Sequence, residues 1–333
     1  MIIDPAESGV QLAEVIPACI ALCDPVHRNN QFDRIEGALD SGHRDSVSPR
    51  STSLSINCAD RPVEAGKGAE PGVSRDRLTE KTGKFAGGLE GKRAVVTGGS
   101  RGIGAAIVQK LLDAGATVVT SARNPSEQTP SAAKFVRADL STPDGVREFA
   151  DIALENLGGV DIIVNNAGGC RTFQSALDIE KDWQYTVDIN FLAAVRLNSA
   201  LVPTMRESGG GVVVHVSSIA TIASYPMILH YAAAKAALET YNKGLAAELA
   251  PQGIRVVALS LGNVMTPGAD EAREKIVDYL GNDSVDWSDE IPLGRIGRSD
   301  DIAEAVGFLV SERAAWITGS TLVIDGGRTA ALS

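Results

Sequence analysis

Hydrophobic and polar positions follow two regimes along the chain, and the change falls near Phe85. From Leu89 onward, short runs of β-branched residues alternate with longer stretches whose apolar residues recur at helical spacing, as at Ile103, Ile107 and Leu111. The runs predict strands over 93–97, 117–121, 134–138, 160–165, 211–217, 255–260 and 321–324. The stretches between them predict helices over 102–114, 143–157, 178–206, 228–250 and 300–311. Strands that alternate with helices build βαβ units, so the pattern predicts the α/β class, with seven parallel strands and helices on both faces of the sheet.

Residues 1–84 read differently. They are rich in Ser, Gly, Pro, Asp, Glu and Arg, hold one aromatic residue, Phe32, and sustain neither a period of 2 nor one of 3.6. Such a segment cannot bury enough apolar surface to offset its ordering entropy, so a largely disordered extension is expected ahead of one folded domain over 85–333. Its most apolar stretch, 10–23, is interrupted by Glu14 and Pro17 and falls short of the roughly 20 apolar residues that cross a bilayer. Asp4 and Glu7, with no Lys or Arg beside them, argue against a secretory signal. Cys19, Cys23 and His27 lack the second spaced pair of a zinc site, and with Cys58 and Cys170 they form no disulfide framework. A reducing, cytoplasmic setting is the expectation. The net charge of -11 disfavours nucleic acid as a partner, because proteins that bind it concentrate positive charge.

The first predicted strand runs into Thr97-Gly98-Gly99-Ser100-Arg101-Gly102-Ile103-Gly104, which opens a helix. Glycines serve where a turn is tight and where backbone must approach a pyrophosphate, and a helix N-terminus then offers unpaired N–H groups and the positive end of its dipole. Strand, glycine-rich turn and helix in a βαβ context point to a dinucleotide and to a doubly wound Rossmann fold.

From this loop on, the chain resembles the short-chain dehydrogenase/reductase family in its compact single-domain form, similar to its 3-oxoacyl reductase-like members. The resemblance continues through Asp139, Asn165-Asn166-Ala167-Gly168, Asn190, Ser218, Tyr231-Ala-Ala-Ala-Lys235, Gly262 to Thr266, Pro292 to Arg295 and Asp325-Gly326-Gly327, and covers 89–333. Tyr231 and Lys235 stand one helical turn apart, so each can act on the other. A phenol of reference pKa about 10 is a poor acid/base at neutral pH, and a neighbouring ammonium favours the phenolate. Ser218, thirteen positions before Tyr231 and at a strand end, matches the family's catalytic serine and can donate to a substrate oxygen as charge develops. Asn190 matches the fourth catalytic member, whose backbone carbonyl the resemblance implies holds a water near Lys235.

For the cofactor, the resemblance implies Gly98, Ser100, Arg101, Gly102, Ile103, Gly104, Arg123, Asp139, Leu140, Asn166, Ala167, Gly168, Gly262, Val264 and Thr266, with Tyr231 and Lys235 shared. Asn166 is expected to stabilise the sheet edge beside it. Where the family has a proline in the turn after the sixth strand, this chain has Leu261, which removes a fixed φ without removing the groups of Gly262, Val264 and Thr266.

Members that take NAD end the second strand in an acid that accepts the ribose 2′-hydroxyl. Here that position is Ala122, followed by Arg123, with Arg101 in the glycine-rich loop, so NADP(H) is the expected cofactor. The implied reaction interconverts a carbonyl and a secondary alcohol by hydride transfer, from the pro-S face, with Tyr231 as acid/base and no metal. An NAD-dependent alcohol dehydrogenase and a dinucleotide-sensing protein that lost its chemistry are the alternatives, and the second should have lost one of the four catalytic residues. Gly169, Cys170, Ile219, Tyr225 and Ile228, with 267–289 as a lid, are expected to form a mostly apolar substrate pocket for a hydrophobic ketone or ring. The resemblance also implies a homotetramer or homodimer, with helices 178–206 and 228–250 packing against their copies and strand 321–324 supporting a second interface.

Overall fold

A computed structural model describes residues 88–222, 226–280 and 286–331. The expectations for residues 1–84, including Cys19, Cys23, His27 and Cys58, and for Tyr225 and 281–285 lie outside the described residues. The strands are β1 (Arg93–Thr97), β2 (Thr117–Ala122), β3 (Lys134–Arg137), β4 (Ile162–Asn165), β5 (Gly211–Ser218), β6 (Ile254–Leu261) and β7 (Thr321–Ile324). They form one parallel sheet in the order β3-β2-β1-β4-β5-β6-β7. The order reverses between β1 and β4, and a crevice opens there beyond the carboxyl ends of the strands.

Both faces of the sheet are covered, which explains why strands such as Ala94-Val95-Val96 read as continuous apolar runs. Ala94 and Val96 pack with Ile107, Val108 and Leu111 of α1 (Gly102–Asp113) and with Ile302, Val306 and Leu309 of α7 (Ser299–Val310). Val95 turns to the other face. There it joins Phe149 of α2 (Pro143–Leu157), Leu197 and Leu201 of α4 (Ala193–Glu207) and Leu249 of α5 (Leu229–Leu249). Local signals place α2 cleanly: the Thr142 hydroxyl accepts from Gly145 N at 3.1 Å, Pro143 opens the helix, and Gly158 closes it with φ of 68°.

Two predicted elements differ. The helix expected over 178–206 is not continuous: a 3₁₀ stretch (Ala176–Asp182) leads into α3 (Trp183–Val187), a π turn (Asp188–Leu192) and then α4. Asn190 sits inside the π turn and donates from Nδ2 to Thr186 O at 3.0 Å and to Gly169 O at 2.9 Å, taking up backbone acceptors that a regular helix would use differently. The segment read as a lid contains a helix, α6 (Pro267–Leu280), which the sequence reading did not place. Among the described residues, no helix is long and apolar enough to cross a membrane.

Candidate active site

Every described residue assigned above to the chemistry, the cofactor or the pocket, from the glycine-rich loop to Thr266, lines one cavity of about 610 Å³ at the crevice. Its floor is the glycine-rich loop between β1 and α1. A Cβ on Gly104 would stand 2.1 Å from Gly98 O, so only glycine lets α1 approach the loop this closely. Asn166, just past β4, donates from Nδ2 to Thr97 O at 2.9 Å and Gly98 O at 3.3 Å, and Thr97 Oγ1 takes the backbone N–H groups of Asn166 and Ala167, each at 2.9 Å. Asn166 therefore ties the loop after β1 to the turn after β4, across the point where the strand order reverses.

The helix N-terminus at this floor carries no side-chain cap from Arg101 and no acid in its first turn, which suits a phosphate group. The Gly102 N–H donates to Gln128 Oε1 at 2.9 Å, while the Ser126 and Thr129 hydroxyls donate to Ser100 O at 2.5 and 3.2 Å. A loop after β2 thus closes on the glycine-rich turn, a contact with no signature in the sequence. Arg101 and Arg123 are both exposed at the cavity wall, with Ala122 half-buried between strand and loop. The Asp139 carboxylate accepts the Ser141 N–H and hydroxyl, which hold its pKa below the usual range, and the nearby Arg123 adds to the effect.

At the other end of the cavity, Ser218 closes β5 and lines the same wall as Tyr231 of α5. The Ser218 Oγ accepts from Ala220 N at 3.2 Å, which fixes the hydroxyl at the mouth of the strand. Lys235 is 4% exposed, and its ammonium donates to Val216 O at 2.8 Å and lies 5.8 Å from the Tyr231 ring centroid. Burial lowers the Lys235 pKa to about 8, against the opposing field of Glu239. The expectation that Lys235 draws the Tyr231 phenol down is corrected: burial comes first and raises it, Cys170 adds to the rise, and only the Ser218 side chain works the other way. The phenol is therefore held protonated at neutral pH. Cys170 is itself pushed up to about 12 by burial and by Asp182.

Asn190 is buried, and its side chain brackets Gly169, with Oδ1 accepting from Gly169 N at 3.1 Å. A Cβ on Gly168 would meet Asn190 Oδ1 at 2.6 Å and Lys235 Nζ at 3.3 Å, so the turn after β4 runs in the gap between these two side chains. His230 points away from the cavity, fully buried against Phe173 and Trp183 with Nε2 3.3 Å from the Asp182 carboxylate. Around the chemistry, Ile189, Ile219, Met227, Ile228 and Trp287 give an apolar wall. Trp287 falls in the segment 267–289 read as a lid, whereas Met227, Tyr185 and Ile189 escaped the sequence reading because they come from separate segments that only the fold brings together.

Residues 98–329 match a family model described as enoyl-(acyl carrier protein) reductase. The chain is 33% identical over 249 residues to the 3-oxoacyl-(acyl-carrier-protein) reductase FabG of Chlamydia muridarum, covering 72% of this chain and 98% of that one. It is 34% identical over 252 residues to 3beta-hydroxysteroid dehydrogenase 1 of Eggerthella lenta, covering 72% and 95%. Among solved structures, the L-sorbose reductase of Gluconobacter frateurii, complexed with NADPH and L-sorbose, superposes with a TM-score of 0.66 at 33% identity, over 72% of this chain and 97% of that one. With the seven-stranded sheet and the cavity at its switch point, these matches establish that the chain belongs to the short-chain dehydrogenase/reductase family.

Proposed function

We propose that the protein is an NADP(H)-dependent oxidoreductase that interconverts a carbonyl and a secondary alcohol, with Tyr231 as acid/base. The observation that carries this reading is that Tyr231, Ser218 and Lys235 line the same cavity as the glycine-rich loop, with the Lys235 ammonium 5.8 Å from the Tyr231 ring centroid. The residues present fit a dinucleotide: the N-terminus of α1, with no acid in its first turn, lies at the cavity floor where phosphates would bind, and Arg101 and Arg123 stand at the wall where the adenosine end would lie. When bound, the cofactor supplies or accepts the hydride. Ser218 holds the substrate oxygen, Tyr231 gives it a proton in the reductive direction, and Lys235 places a positive charge beside the phenol as that proton leaves. The apolar wall supports a hydrophobic ketone or ring as substrate.

The preference for NADP(H) rests on two guanidinium groups and the absence of an acid at the end of β2, and the NADPH bound to the L-sorbose reductase supports it by similarity. A charge-assisted hydrogen bond contributes about 1.5–3 kcal/mol, so Ala122→Asp/Arg123→Ile is expected to lower the NADPH-to-NADH ratio of kcat/KM by about ten- to a hundredfold. A parent enzyme that prefers NADH, or a ratio that the double change leaves untouched, overturns this assignment in favour of an NAD-dependent alcohol dehydrogenase.

A further inference from the structure

Behind Lys235, one turn further along α5, stands a carboxylate that the reaction does not use directly. Tyr231, Lys235 and Glu239 follow one another at intervals of four residues, so they form a stripe along one side of the helix. Glu239 is half-buried and faces the turn that follows β5: its Oε1 accepts the Ser217 hydroxyl at 2.6 Å and lies 3.4 Å from the Thr221 hydroxyl. Ser217 immediately precedes Ser218, and the Thr221 hydroxyl also reaches Ser218 O at 3.1 Å. Both sides of the catalytic serine are therefore linked to the helix that carries Tyr231 and Lys235.

We propose that Glu239 is a positioning residue, which fixes the Ser218 turn against α5 through Ser217 and Thr221 and supplies the countercharge that keeps the buried Lys235 ammonium protonated. The proposal rests on the reading of Lys235 as part of the proton-handling site. Lys235 lies in a buried setting that disfavours its charge, and Glu239 is the leading opposing charge, with Cys170 second. Other groups about the ammonium are neutral: the Val216 carbonyl it donates to, the Tyr231 phenol on its own helix, and His215 of β5, whose pKa burial lowers to about 4. Without the carboxylate, desolvation acts nearly unopposed. Lys235 would then lose its proton at lower pH and stop supporting a departing phenolic proton.

The test is the titration of Lys235 in the full chain, followed by trace acetylation with acetic anhydride against pH and quantified by mass spectrometry of the Lys235 peptide. The parent should titrate near about 8. Glu239→Gln keeps an acceptor for Ser217 but removes the charge, and should lower the midpoint by about one pH unit or more. Glu239→Asp keeps the charge on a shorter stem and should recover most of that shift, a rescue that a purely structural role would not produce. Midpoints that agree across all three proteins overturn the proposal, as does a Gln variant that rises. Turnover of Tyr231→Phe is a separate readout: if it stays intact while the midpoints shift as stated, the proposed function fails and the role of Glu239 toward Lys235 stands.

Discussion

Tyr231 and Lys235 show how the same two residues read differently in sequence and in the fold. Their spacing discloses that they meet, but the sign of the Tyr231 shift depends on how much water reaches the phenol, and burial is a property of the whole cavity. One consequence is a pH limb. Lys235 is depressed to about 8, so its charge is present below that pH and lost as pH rises through it. Because the positive charge supports loss of the phenolic proton, kcat/KM for carbonyl reduction is expected to fall above about pH 8, and a profile flat to pH 10 would contradict this. Gly104 was legible for what it is. An added Cβ on Gly104 would stand 2.1 Å from Gly98 O, so Gly104→Ala must push the loop apart, and NADPH affinity measured by fluorescence titration should drop at least about tenfold.

At the scale of elements, the seven strands and helices α1, α2, α5 and α7 follow from periodicity, since parallel strands buried on both sides are apolar throughout and their connecting helices are amphipathic. The π turn at Asp188–Leu192 was not legible. It depends on Asn190 reaching both Thr186, in its own helix, and Gly169, in a loop twenty-one residues away, and only the second contact distinguishes it from an ordinary helical amide. Asn190→Ala removes bonds to both Gly169 backbone groups and to Thr186 O, the last of them buried. It should destabilise the protein by about 1–3 kcal/mol in denaturant titration, and a loss within about 0.5 kcal/mol would show that the turn holds itself. The helix α6 was missed for a different reason: Asp270, Glu271, Arg273, Glu274 and Lys275 crowd a short segment, and its apolar stripe is thin.

For the molecule as a whole, β4, β5, α4 and α5 are joined by a buried polar chain behind the site. Asn165 Nδ2 donates to Asn198 Oδ1 at 2.9 Å, Asn198 Nδ2 meets His215 Nε2 at 3.0 Å, and His215 Nδ1 meets Asn242 Oδ1 at 3.0 Å. These partners assign the proton to Nδ1, and burial keeps the imidazole neutral, lowering its pKa to about 4 against the opposing Asn242 bond. The unfolded chain takes up a proton near 6.5 and the folded one near 4, so stability is lost as pH falls between those values, by about 3 kcal/mol in total at about 1.4 kcal/mol per unit. Comparing parent and His215→Asn by denaturant titration at pH 7 and pH 4.5 should show the steeper loss in the parent; equal losses would remove His215 as the cause. Since the sheet and every described site residue lie at or beyond Leu89, deletion of residues 1–84 is expected to leave turnover intact, and a truncated chain without activity would contradict this. Edge strand β7 leaves Leu322 and Val323 about two-fifths exposed beside a fully exposed Trp316, which supports the proposed self-association; a monomer by light scattering at micromolar concentration would contradict it. The account as a whole turns on Tyr231. Across a panel of steroid, quinone, cyclic ketone and 3-oxoacyl thioester substrates, Tyr231→Phe should cut NADPH oxidation with the best substrate by about 10²- to 10⁴-fold while NADPH still binds. Unchanged turnover in that variant would contradict the account.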